Sequence, residues 1–157
     1  MAAGYVVKTG TTATALSAAT AKTLVNLIAA TTKTAVLVEA SVSFDGVTAS
    51  AVPVLVELCL STQATAGTPG ASPTPQQIRG KGTAVCTAGV DYSAEPTALT
   101  PFKHWLVTPN GGLMTIQLPL GRESQFDLSG GTNKAQCIRA NAPAVVNARS
   151  YAEFEEE

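Results

Sequence analysis

VNARSYAEFEEE, residues 146–157, is the stretch on which the fold turns. Val146, Ala148, Ser150, Ala152 and Phe154 fall on one side of an extended chain. Asn147, Arg149, Tyr151 and Glu153 fall on the other, the two-residue period of a strand with one face buried. Such a strand must be held by neighbours, since free ends fray. The expected neighbour is KAQCIRAN, residues 134–141, reached across the turn Asn141–Ala144, with Phe154 as anchor and the glutamates emerging at the rim of the sheet.

Working outward, the same period recurs. Val36, Val38, Ala40, Val42 and Phe44 alternate with Leu37, Glu39, Ser41 and Ser43, and Asp45-Gly46 closes the run as a turn. In VPVLVELCL, Val52, Val54, Val56, Leu58 and Leu60 form an inward row, while Leu55 and Cys59 make the opposite face partly apolar, so both faces are covered. Residues 5–34 are rich in Ala and Thr, with two or three short β-prone pieces and no helical period. TAVCTAGVDY, FKHWLVT and LMTIQLPL are further strand candidates, the last two separated by the hairpin signal Pro109–Gly112. A piece at Ser124–Leu128 and the turn Ser129–Asn133 precede KAQCIRAN. Residues 61–82 hold three of the nine prolines and four glycines and read as a long irregular loop. Eight to ten short strands with turns between them indicate an all-β, antiparallel sandwich or barrel in one domain, 1–157.

Composition narrows the function. Charged residues are 13% of the 157, about half the roughly 25% usual in soluble domains, which points to a surface covered by copies of the chain or by another protein. The net charge of −1 argues against direct nucleic-acid binding, which needs a basic patch. Four of the eleven acids stand in the last five residues, leaving ten bases against seven acids before them, so residues 153–157 read as an acidic tail, solvated or docked on a basic neighbour. The three cysteines, Cys59, Cys86 and Cys137, have neither metal nor redox spacing and read as reduced core residues. The N-terminus lacks a basic region, and Lys33 and Glu39 interrupt the apolar stretch from Leu24. The expectation is therefore no signal peptide, no membrane span and a cytoplasmic origin.

Chemistry-bearing patterns are sparse. His104, the one histidine, lacks a positioned nucleophile and acid. Arg79–Thr83 has the flavour of a phosphate loop without its spacing or a following helix. Glu123 and Asp127 are a carboxylate pair across a turn, with Arg122 beside Glu123 as a surface ion pair. Tyr5, Tyr92, Trp105 and Tyr151 are too scattered for a sugar platform, and Trp105 reads as core. No catalytic, cofactor-binding or metal-binding residue is assigned.

The run from Phe102 to Glu157 resembles the C-terminal half of small virion proteins of tailed bacteriophages. The resemblance rests on a Trp-Leu strand, a Gly-Gly hairpin, PLGRE (119–123), APAVVNAR (142–149) and the terminal FEE, and VEASVSFDG and VPVLVELC fit it too. It covers most of the chain outside 61–82. It implies a jelly-roll-like β-sandwich acting as a capsid decoration or cement protein, with no enzymatic activity and no cofactor. Implied partners are the major capsid protein and copies of itself as a homotrimer, on the capsid exterior of a virion assembled in the host bacterial cytoplasm. The expected contact elements are an extended N-terminal arm (1–20), the 61–82 loop and the 153–157 tail. A head-fibre, tail or baseplate component is the alternative within the virion, and a host-surface carbohydrate-binding module the alternative outside it.

Overall fold

No helix forms in the described residues, 2–46, 52–119, 121–126 and 134–157 of a computed structural model. Twelve strands do: β1 (Ala3–Lys8), β2 (Thr14–Leu16), β3 (Ala21–Ile28), β4 (Ala35–Phe44), β5 (Val54–Ser61), β6 (Gln76–Arg79), β7 (Thr87–Val90), β8 (Leu99–Val107), β9 (Leu113–Gln117), β10 (Ser124–Phe126), β11 (Ala135–Asn141) and β12 (Val146–Glu156). The Thr- and Val-rich composition explains this, since branched side chains lose little freedom on a pleated surface.

The strands make two antiparallel sheets, as expected of a β-sandwich. In the seven-stranded sheet β12 is central. One of its edges pairs with β4, from Ala148 opposite Phe44 to Glu156 opposite Ala35. Its other edge takes β1 and β2 end to end, Tyr5 facing Phe154 and Leu16 facing Val146. The far edge of β4 takes β9 and β10 end to end, and β6 lies outside β1. The five-stranded sheet runs β7-β3-β11-β5-β8. Leu24, Leu27, Val54, Val56, Leu58 and Ile138 from this sheet meet Leu16, Leu37, Val42, Phe126 and Phe154 from the other in one core. Each such side chain contributes about 1.5–3 kcal/mol by leaving water.

The terminal strand is integral, but its partner corrects the expectation. β12 does not pair with β11, whose edges are filled by β3 and β5. The two lie in facing sheets, so the Asn141–Ala144 connection steps from one sheet to the other at the end of the sandwich and is held by Ala19 N–H donating to Ala142 O at 2.7 Å. Pro109–Gly112 is likewise no hairpin, because β8 pairs with β5 and β9 with β4. It is a corner between sheets, with Gly111 at φ 68°, Gly46 N–H donating to Pro109 O at 3.1 Å and Phe44 N–H to Gly112 O at 2.9 Å. Only glycine fits at 112, where an added Cβ would lie 2.0 Å from Thr108 O. Among the described residues no strand pairs with its neighbour in the chain, and eight of the eleven connections change sheet.

Other expectations shift for local reasons. A bulge opposite Glu153/Phe154 falls at Val38 and exchanges the faces of β4: Ala35 and Leu37 join Ala40, Val42 and Phe44 in the core, and Val36 does not. Val52 is 56% exposed rather than inward, because β5 begins only at Val54. The N-terminal segment expected as an extended arm carries β1, enclosed by β12 and β6, and β2. The 61–82 segment contains β6 and is bridged at Thr68 to Ala94 and at Ala71 to Val90, because its backbone groups find partners across the sandwich. The 153–157 segment is strand through Glu156. The expected turn Ser129–Asn133, and Asp127, lie outside the described residues.

Candidate functional site

The connections β4–β5, β8–β9 and β11–β12 converge at one end of the sandwich, tied by the Gly46–Pro109 bond and by Asp45 N–H donating to Asn147 O at 3.2 Å. LVTPNGGL (106–113) and ANAPAVVN (140–147) carry no charge, and Asp45 is the charged residue of the three connections. This end leaves Leu106 69%, Leu113 68% and Val145 75% exposed. Leu106 pairs with Leu55 on the outer face of the five-stranded sheet, and Leu113 pairs with Ser43 on the outer face of the other. Apolar side chains thus flank the Pro109 corner on both sides. Where such side chains form one contiguous patch they mark a contact surface.

The opposite end is charged and internally bonded. Lys33 and Lys134 lie just before β4 and β11 there, and Glu157 exchanges backbone bonds with Thr34 at 3.0 and 3.3 Å. Arg79 on β6 pairs with Glu155 on β12. Glu156 alternates inward and is 5% exposed. Its carboxylate accepts from the backbone N–H of Val85 at 2.9 Å and of Cys86 at 2.7 Å, pinning the β6–β7 connection to the terminal strand. The expected acidic tail is therefore an outward row, Glu153 and Glu155, plus one buried anchor.

A hollow of about 620 Å³ lies on the outer face of the seven-stranded sheet, among Lys8, Thr11, Ser43, Arg149, Tyr151 and Glu153. Its groups already serve one another. The Tyr151 hydroxyl donates to Glu39, whose other oxygen accepts from Gln117 Nε2 at 2.7 Å. That bond, with burial, raises the Tyr151 pKa. The Ser41 and Ser150 hydroxyls donate to backbone carbonyls of Met114 at 3.1 Å and Ser41 at 2.8 Å, and Arg149 donates to Thr11 O at 2.9 Å. Glu153 faces Glu39 directly across the strands, and burial and that neighbouring carboxylate raise its pKa.

Among the described residues, the chemistry-bearing side chains stand apart. His104 is exposed on β8 opposite Glu57, whose carboxylate is engaged by Arg139 Nε at 2.9 Å and Nη2 at 2.7 Å. Arg79–Thr83 ends β6 in a turn where Gly80 and Gly82 have positive φ. Ion pairs among the described residues join Arg79 to Glu155 and Arg139 to Glu57, and not Arg122 to Glu123. Tyr5 and Tyr92 are buried, Tyr5 stacking on Phe154 with centroids 5.5 Å apart. Trp105 packs against the core from β8, on the opposite sheet to Tyr151, so no shared aromatic platform arises. Among the described residues no three His, Cys, Asp or Glu side chains gather as a metal-ligand set. No helix there is long and apolar enough to cross a membrane.

The architecture belongs to the class of two-sheet antiparallel β proteins. In comparisons with known proteins, no family model, curated protein or solved structure matches the chain. Sequence reasoning missed the apolar end, although its signal was present: two uncharged runs with Leu or Val flanking Pro- and Gly-containing bends.

Proposed function

We propose that the chain is a non-enzymatic structural protein of a tailed-phage virion, a head decoration or cement protein that binds the outer capsid surface and bridges neighbouring shell subunits. The sandwich is read as a jelly roll. Supporting that reading, β2-β12-β4-β9 in one sheet and β3-β11-β5-β8 in the other follow the paired four-strand order of two Greek keys, with β1, β6, β7 and β10 as additions. Viral capsid domains are a frequent setting for that order, and the phage resemblance of the C-terminal half points the same way.

The observation that carries the functional reading is the uncharged apolar end. The 1–20, 61–82 and 153–157 segments are engaged within the sandwich, which favours contact through Leu106, Leu113 and Val145 instead. Binding at this end adds apolar contact in many copies, so modest individual affinities sum against internal pressure. The partners in this reading are the major capsid protein and further copies of the chain.

Co-sedimentation with capsids that lack the protein tests the reading. The wild-type chain binds and raises capsid heat resistance, and binding survives about 0.5 M salt because few exposed charges take part. Val145→Glu and Leu106→Glu weaken binding at least about tenfold, the 1.4 kcal/mol lost by burying charge against apolar surface. Failure of the wild type to bind removes the cement role. Full binding by both variants removes the apolar end as its surface.

A further inference from the structure

Two of the three cysteines are neighbours. Cys59 on β5 and Cys137 on β11 face each other in an unshifted antiparallel register. The flanking Leu58 and Ile138 point into the core, so both thiols leave the sheet on its outer face. Antiparallel partners have Cα atoms about 4.5 or 5.5 Å apart, and both values lie within the roughly 4.4–6.8 Å that a disulfide spans. Both cysteines are free, and they are 0% and 2% exposed.

Beside them, on the β3 side, two loop segments are tied to each other and to the sheet. Thr68 N–H donates to Ala94 O at 2.9 Å and Thr97 N–H to Thr65 O at 3.0 Å, joining two loop segments. Glu95 fastens one segment to β3, accepting from Thr23 N–H at 2.7 Å and from its hydroxyl at 2.5 Å. Asn26, the β3 partner of Cys137, donates to the Tyr92 hydroxyl at 3.0 Å, while its Oδ1 is buried without a partner. Loop segments without a core of their own open more readily than the sheet beneath them.

We propose that Cys59 and Cys137 form an oxidative modification site, a dithiol that hydrogen peroxide converts to an intrachain disulfide across the β5–β11 ladder. The Cys59 thiolate attacks one peroxide oxygen, breaking the O–O bond and giving a sulfenic acid and hydroxide. The Cys137 sulfur then displaces the sulfenic oxygen. The thiol proton leaves with that oxygen as water, and the hydroxide takes up the proton first lost from Cys59 as a second water. Two sulfurs are oxidised and one peroxide is reduced.

Cys59 is the attacking sulfur in this order: the facing Cys137 thiol and the Arg139 guanidinium, two residues along the partner strand on the same face, hold it below its usual range. Cys86 stands apart, beside Glu156, its thiol pushed up to about 12 by burial. The disulfide would join two adjacent inner strands of the sheet, β5 and β11, wherever the surroundings are oxidising. It rests on the register and is independent of the capsid reading.

Peroxide treatment of the folded wild-type chain, followed by unfolding, maleimide labelling and peptide mapping, is the test. The expected product retains one labelled thiol, at Cys86, contains a Cys59–Cys137 cross-link and melts about 5–10 °C higher. Cys86→Ser leaves the cross-link intact, and Cys137→Ser abolishes it. Three labelled thiols after treatment, a cross-link involving Cys86, or sulfinic acid at Cys59 would overturn the proposal.

Discussion

The two ends of the sandwich are made from the same strands and differ in how their polar groups are used, although Ile78 and Val85 leave apolar groups exposed at the charged end too. At the charged end, polar groups work inward: Glu156 satisfies two backbone N–H groups, and Arg79 ties the edge strand β6 to β12 through Glu155. At the apolar end the backbone closes on itself through Gly46, Pro109 and Gly112, and Leu106, Leu113 and Val145 project with little to do for the fold. An end whose side chains hold the fold cannot readily be given to a partner. An end closed by backbone alone can be.

The largest effect should come from breaking the shared scaffold. Deleting residues 146–157 removes the strand between β4 and the β1/β2 pair, leaving long unpaired edges. The truncated chain should be insoluble or lack a cooperative melting transition. A truncation that melts as the wild type does would show that β12 is dispensable. Next, Phe154→Ala should cost about 3–5 kcal/mol in urea unfolding, since the ring is buried and stacks on Tyr5. Glu156→Ala should cost about 1–3 kcal/mol, the penalty of leaving buried donors unpaired, where the surrounding fold is otherwise kept. Val145→Ser, by contrast, should stay within about 0.5 kcal/mol. If Val145→Ser costs as much as Glu156→Ala, the contrast between the ends fails.

The sequence carried the strands better than their partners. Alternation placed β4 at Ala35–Phe44 and identified β12, because the burial of one face imposes a local period of two. Pairing was not legible. Pro109–Gly112 and Asn141–Ala144 have the chemistry of tight bends, and a bend returning along one sheet uses the same residues as one stepping to the facing sheet. Which occurs depends on whether β5 and β4 are already beside the strands that follow, a relation set by residues far along the chain. The Val38 bulge was hidden because both faces of β4 near it are apolar, so a one-residue shift leaves no mark in composition. Glu156 was hidden because its partners are backbone groups, invisible in side-chain pattern.

The smallest effect lies on the outer face between the ends, where Glu39 and Glu153 are direct cross-strand partners. Like charges in that position repel, and the Tyr151 and Gln117 donors both go to Glu39. Burial first, and then that repulsion, make the Glu153 carboxyl hold a proton more tightly in the folded chain than in the unfolded one. A raised carboxyl pKa costs stability at neutral pH. The loss is relieved as pH falls through the folded value, because the native state takes up its proton first. Glu153→Gln should accordingly melt slightly above the wild type at pH 7, with the gap closing as the solution is acidified into the carboxylate range. A gap that stays constant with pH would mean that Gln acts through packing, and a lower melting point at pH 7 would mean that Glu153 stabilises the face as an anion.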